Sequence, residues 1–181
     1  VLEGDAYDDA YAAARRLGSE QGLVFVHPYD DVEVIAGQGT VAMEILRQHR
    51  GPLDAIFVPV GGGGLLAGVA AYVKALYPEV RVIGVEPDDA GSMFAALRDG
   101  KRTTLERVGL FADGVAVKQA GELPFAIAKK HVDEVVLVST DEICGAIKDV
   151  FEATRTLAEP AGALALAGLK RWVETTGARG K

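Results

Sequence analysis

The residues best suited to chemistry are four consecutive glycines, Gly61, Gly62, Gly63 and Gly64. They follow a short apolar run, residues 55–58, and lead directly into an apolar, small-residue helical pattern over 65–76. The order is strand, glycine turn, helix. Such a turn presents main-chain N–H groups at the positive end of a helix, and with no Cβ in the way an anion can approach the backbone closely. The stretch has no lysine or Ser/Thr in Walker position, so it is not a nucleotide P-loop, and it is not a dinucleotide G-x-G-x-x-G turn. A general anion cradle is the minimum reading. The alternative, a flexible linker, fits poorly with a buried strand on one side and an apolar helix on the other.

Other candidates are weaker. His27 precedes Pro28, which pushes it out of helical space into a loop. There it could act as an acid or base, or serve as a turn residue. Glu86, followed by Pro87, Asp88 and Asp89, could bind a cation or be a solvated strand end. Glu159 stands at a helix start, where the dipole favours a carboxylate whatever the function. Cys144 lies inside a helical pattern and is expected in the core. Three histidines, one cysteine and scattered carboxylates do not make a zinc site, and no G-x-S-x-G supports a hydrolytic triad.

The elements that must position these residues read as follows. Asp5 or Asp8 could cap a helix over 10–17, ended by Gly18 or Gly22. Residues 23–26 are a short strand and 27–31 a loop. Gly37 and Gly39 precede a helix over 41–46, which suggests either a second close backbone approach or a plain helix entry capped by Thr40. After the central unit, Pro78 ends its helix and 80–85 form the next strand. Strand, crossover helix and strand build a parallel sheet, with ligands beyond the carboxyl ends of its strands. Residues 93–97 look helical, 98–107 form a polar loop, and 108–117 an irregular segment or edge strand. A short helix over 123–130, a strand over 134–138 and a capping sequence at Ser139–Glu142 lead into a helix over 143–154. The last helix spans 163–172, and another strand is expected to begin near 177.

With 181 residues, 49% hydrophobic and 25% charged, the composition is that of an ordinary globular domain. The net charge of −7 and the lack of a basic run make nucleic acid and anionic membranes poor partners. A single cysteine fits a reducing compartment, hence a cytoplasmic expectation, and no stretch approaches the ~20 apolar residues of a membrane span. Taken alone, the residues say phosphate-bearing ligand on an α/β sheet, with the chemistry unassigned.

Six stretches carry a resemblance: residues 27–31 (HPYDD), 35–40 (IAGQGT), 58–65 (VPVGGGGL), 84–86 (GVE), 108–118 (VGLFADGVAVK) and 158–166 (AEPAGALAL). The chain resembles the threonine ammonia-lyases (threonine dehydratases) of biosynthetic type. These belong to the tryptophan-synthase-β-like, fold type II, pyridoxal-phosphate enzymes. The resemblance implies an α/β fold of three layers, a mainly parallel twisted sheet flanked by helices. It implies that residues 1–31 end a small mobile domain and that 32–181 form most of the cofactor-binding large domain, with no regulatory domain following. Gly61 to Gly64 and Leu65 look like the cradle for the phosphate of pyridoxal 5'-phosphate. Gly114 resembles the glycine beside the pyridine ring, and Glu159 a carboxylate near cofactor and substrate. Glu86 is expected in the same cofactor and substrate vicinity, at a position that helps bind a divalent cation in serine racemases. Its expected partner, an aspartate six residues on, is Ser92 here, so no metal is assigned.

The implied reaction is β-elimination of L-threonine to 2-oxobutanoate and ammonia, a step of isoleucine biosynthesis, by a homo-oligomer acting on a small amino acid. A serine dehydratase or serine racemase-like enzyme is the alternative, and a noncatalytic phosphate-binding fragment another. The departure is the Schiff-base lysine. Neither Lys74 nor Lys118 has the expected Ser-x-Lys-x-Arg-Gly-Ala context, so no catalytic residue is assigned in this chain. The chain is expected to be an internal fragment, inactive by itself.

Overall fold

The computed structural model describes residues 3, 4 and 7–179, the side chain of residue 8 excepted. Its centre is a parallel sheet of β1 (Ala55–Pro59), β2 (Arg81–Pro87) and β3 (Glu134–Val138), in that spatial order. The register pairs Ala55 with Arg81, Pro59 with Val85 and Pro87 with Val138. All three strands therefore end at one edge of the molecule, where ligands of parallel sheets collect. The crossover from β1 to β2 is α3 (Gly64–Leu76). That from β2 to β3 runs through α4 (Ser92–Asp99), a loop with a 3-10 turn at Asp113–Val115, and α5 (Glu122–His131).

Strand alternation sends side chains to both faces, and each face is covered by helices. Ile56, Val58 and Val82 join Leu66, Val69 and Val73 of α3 in one core. Val85 and Val138 join Ile143 of α6 (Thr140–Thr154) and Leu164 of α7 (Pro160–Thr176) in the other. Burying a Val or Leu of this kind stabilises by roughly 1.5–3 kcal/mol, so these residues dominate the fold energetically. Gly168 lets α7 lie directly on the sheet, since a Cβ there would fall 2.3 Å from Val85 Cγ2.

Several expectations need correction. The helix expected over 41–46 begins much earlier: α2 spans Val32–Gln48, capped by Asp31, whose carboxylate accepts from the Glu33 and Val34 N–H groups. Thr40 is therefore no cap, and the glycines at 37 and 39 lie inside the helix. Gly39 does make a close approach, but to another helix. A Cβ on Gly68 of α3 would fall 2.4 Å from the Ile35 carbonyl oxygen and 2.7 Å from the Gly39 nitrogen. Two interior glycines, costly in a lone helix, let α2 and α3 touch backbone to backbone.

Residues 23–26 carry no assigned strand and pair with none among the described residues, and Leu23, Val24 and Val26 are 61%, 91% and 65% exposed. An apolar run becomes sheet only when a neighbour takes its N–H and C=O groups. The N-terminal helix α1 (Tyr7–Gln21) ends at Gly22, in the left-handed region with φ +66°; Asp5 lies outside the described residues, as does the Asp8 side chain. Cys144 is exposed on α6, because Ile143 and Ala146 form that helix's buried face. No strand is assigned at 178–179, beyond Gly177.

Candidate cofactor cleft at the sheet edge

Helices that start at this edge differ in one respect that decides where an anion can sit. The first N–H groups of a helix have no partner within it. In α2 Asp31 takes them, and in α6 the Ser139 hydroxyl accepts from Glu142 N–H in a capping box. In α4 the Glu86 carboxylate accepts from Met93 and Phe94 N–H at 2.9 and 2.7 Å. In α5 Asp30, from far upstream, accepts from Glu122 and Leu123 N–H at 2.8 and 2.9 Å. The starts of α3 and α7 have no side-chain cap bond; α3 follows Gly63, and α7 follows Glu159, whose carboxylate accepts from none of the first N–H groups of α7. These two uncapped ends face one cleft of about 400 Å³.

Gly61, Gly62, Gly63, Gly64 and Leu65 form one wall of the cleft, and Gly114 and Glu159 stand on the other side. Gly114 is pressed onto α7, since a Cβ there would lie 3.1 Å from Ala161 Cβ and 3.7 Å from Glu159 Oε1. Gly63 has φ +93°, a left-handed conformation natural to glycine, and turns the chain into α3. The glycines are also required by packing around the loop. A Cβ on Gly62 would fall 2.3 Å from the Tyr29 ring, one on Gly63 2.6 Å from Met93 Cε, and one on Gly61 3.0 Å from Val115 Cα. Side chains on these glycines are thus excluded, and the loop's main chain is left as its contribution to the cleft. No lysine, arginine or histidine lines the cleft among the described residues. Main-chain N–H groups and the α3 dipole would hold a phosphate there without a cationic side chain, as at other helix starts.

Glu86, considered above near substrate or a cation, is not a wall of this cleft. It is fully buried under α4 and engaged by two N–H donors. Burial pushes its carboxyl up to about 8, the two N–H bonds working the other way. Among the described residues no group of His, Cys, Asp and Glu is placed to hold a metal ion. His27 is a turn residue: its Nδ1 accepts from Asp30 N–H at 2.8 Å and from Tyr29 N–H at 3.3 Å. Lys74 lies away from the cleft, its ammonium donating to the Val80 carbonyl and paired with Asp133 at 2.8 Å. Lys118 does not line the cleft either.

Sequence reasoning missed Tyr29, Gln38 and Asp113 as cleft residues. Gln38 was hidden because residues 34–40 read as a helix entry, so no face of α2 was assigned there. Asp113 accepts from Gly114 N–H at 3.0 Å and shapes the 3-10 turn.

A cleft with an uncapped glycine turn on one side and a glycine–carboxylate pair on the other suits a flat, phosphate-bearing group. The pyridoxal-phosphate dependent enzyme family matches the chain over residues 1–181. The chain belongs to this family. Within this pyridoxal-phosphate family it is 60% identical over 177 residues to the biosynthetic L-threonine dehydratase IlvA of Burkholderia multivorans, covering 98% of this chain and 35% of that protein. The structure superposes with a TM-score of 0.95 on the processed form of threonine deaminase isoform 2 from Solanum lycopersicum, at 44% identity, covering 100% of this chain and 52% of that one. Serine racemase from Dictyostelium discoideum follows at a TM-score of 0.82 and 35% identity, over 94% of this chain and 54% of that one. The chain thus spans about a third of the length of the bacterial relative it matches.

Proposed function

We propose that the protein carrying this chain is a threonine ammonia-lyase, converting L-threonine to 2-oxobutanoate and ammonia, and that the cleft between α3 and α7 is its cofactor site. The observation that carries this reading is the pair of uncapped helix starts facing one cleft across Gly114. When bound, pyridoxal phosphate supplies the electron sink that makes the amino acid's α-proton acidic. The chain's own residues bind and orient. Main-chain N–H groups of Gly61 to Leu65 would hold the phosphate and, with no cationic side chain lining the cleft among the described residues, would leave it able to keep or give up a proton. Gly114 leaves room for a flat ring. Glu159 projects a carboxylate beside it at the start of α7.

No lysine among the described residues lines the cleft. We assign the covalent anchor and the α-proton transfer to a lysine outside this chain, which makes this chain the binding half of the site. Residues 1–31 are read as the end of a small mobile domain and 32–181 as most of the large domain. The exposed apolar run at 23–26, outside any sheet among the described residues, supports that division. Among the described residues no helix is long and apolar enough to cross a membrane. A small amino-acid substrate, a homo-oligomer and a cytoplasmic setting complete the reading.

The test is the full-length protein loaded with pyridoxal phosphate and offered L-threonine or L-serine. Formation of 2-oxobutanoate with threonine preferred supports the proposal. Serine racemisation, or pyruvate from serine with threonine inert, supports the serine-directed reading that the serine racemase likeness keeps open. Phosphate binding with no turnover of either amino acid leaves the noncatalytic module.

A further inference from the structure

The turn at residues 27–31 reaches the glycine loop by two routes. The first is Tyr29: its ring lies 2.3 Å from where a Cβ on Gly62 would stand, and its own Cβ lies 2.9 Å from where one on Gly64 would stand. The second is Asp30, which caps α5 through Glu122 and Leu123 N–H. The residue before those two, Gly121, donates its N–H to the Gly62 carbonyl at 3.0 Å, and Pro124 Cβ lies 2.9 Å from the Cβ position of Gly63. The loop is therefore clamped from both sides, and both arms leave the same turn. One atom shapes that turn: His27 Nδ1, accepting from Tyr29 and Asp30 N–H together. An Nδ1 that accepts carries no hydrogen, so the ring is the neutral Nε2–H form. Protonation puts a hydrogen on Nδ1 and leaves two main-chain donors facing a third.

We propose that His27 is a positioning residue for the phosphate cradle: its neutral ring holds Tyr29 and Asp30 in place, and its protonation loosens the loop at 62–64 and weakens the hold on pyridoxal phosphate. This rests on the cofactor reading above for the ligand but not for the clamp. The groups facing His27 are defined. On α1 they are the Tyr11 ring, 5.4 Å between centroids, and Arg15; on the turn itself Tyr29, at 4.7 Å, with Asp30 and Asp31. Phe25 lies at 6.2 Å, and Tyr7 and Arg102 line the same alcove. Burial holds the imidazole below its usual value and Arg15 acts in the same direction, while Asp30 and Asp31 oppose. A histidine with a lowered folded pKa supports the fold fully above its ordinary value of about 6.5 and loses that support as pH falls through the folded value.

The experiment uses the full-length protein with two variants. His27→Asn keeps a side-chain oxygen near the Nδ1 position as an acceptor that does not titrate; His27→Ala removes the acceptor. Pyridoxal phosphate affinity is measured by equilibrium fluorescence between about pH 8 and about pH 5.5, and amide exchange at residues 121–123, whose N–H groups are bonded to Gly62 and Asp30, is followed without ligand. The ligand's own phosphate titrates near about 6 and affects all three proteins alike. The expected result is that affinity of the wild type falls about tenfold more than that of His27→Asn as pH drops, that His27→Ala binds about tenfold more weakly at every pH, and that exchange at 121–123 rises in step. Equal pH profiles for wild type and His27→Asn, or unchanged exchange in His27→Ala, overturn the proposal. If exchange responds as expected but no protein binds pyridoxal phosphate, the clamp stands and the cofactor reading fails.

Discussion

The Glu86 carboxyl lies fully buried beneath α4, where the Met93 and Phe94 N–H groups donate to it. Desolvation disfavours its charged form more than those donors favour it, so its pKa rises from 4.5 to about 8. The folded protein then binds more protons than the unfolded chain between these values, and the stability this group contributes falls as pH rises from about 4.5 toward 8. Denaturant titrations at several pH values should show that decline, and Glu86→Gln should remove it. Glu86→Ala leaves the donors without an acceptor and opens a cavity, for a loss of about 2–4 kcal/mol near the acid end of that range that shrinks as pH rises. A second residue-scale prediction concerns Gly62. Its substitution by Ala places a methyl 2.3 Å from the Tyr29 ring, so the ring or the loop must move. Gly62→Ala should cost about 1–3 kcal/mol in thermal unfolding and weaken pyridoxal phosphate binding by an order of magnitude or more.

At the scale of elements, the crossing of α2 and α3 depends on Gly39 and Gly68. Gly68→Ala would favour an isolated helix, yet here its Cβ would meet the Ile35 carbonyl oxygen at 2.4 Å. The helices must separate, and the expected outcome is a destabilisation of about 1–3 kcal/mol, readable as a lower denaturation midpoint with an unchanged m-value. The α6 capping box makes a milder prediction. Ser139→Ala removes the hydroxyl that accepts from Glu142 N–H, at a cost of about 1 kcal/mol. That box was legible because its partners are neighbours in sequence. The caps on α4 and α5 were not, because Glu86 and Asp30 reach them through the tertiary fold. The start of α2 was misplaced for a related reason: Gly37 and Gly39 read as breakers while the surface that makes Gly39 useful lies on α3.

At the scale of the molecule, the chain divides in how firmly it is held. Residues 32–176 surround the sheet with two apolar cores, while in the described stretch 7–26 Ala13 and Gly18 are the buried residues. That stretch meets the rest largely through rings, Tyr11 against His27 and Tyr7 against Tyr29, the latter pair 6.2 Å apart. Native-state hydrogen exchange of this chain should therefore show amides of 7–26 opening at much lower free energy than those of α3 and β2. Uniform protection across both stretches would argue against a domain boundary near Asp31.

What the sequence determined by itself was local. Apolar runs with period two or 3.6, punctuated by glycine and proline, marked the three strands, most of the helices and the glycine turn between β1 and α3. The same local motifs marked the family to which the chain belongs. Tertiary structure decided which residues share a purpose. It put Gly114 and Glu159 opposite the glycine loop, withdrew Glu86 into a buried cap, left the strand-like run at 23–26 without a partner, and brought Tyr29 onto the loop it supports. The reason is physical: a strand or helix is proposed by neighbours in the chain, whereas a carboxylate's partner, a glycine's necessity and a cleft's walls are set by atoms that arrive from elsewhere.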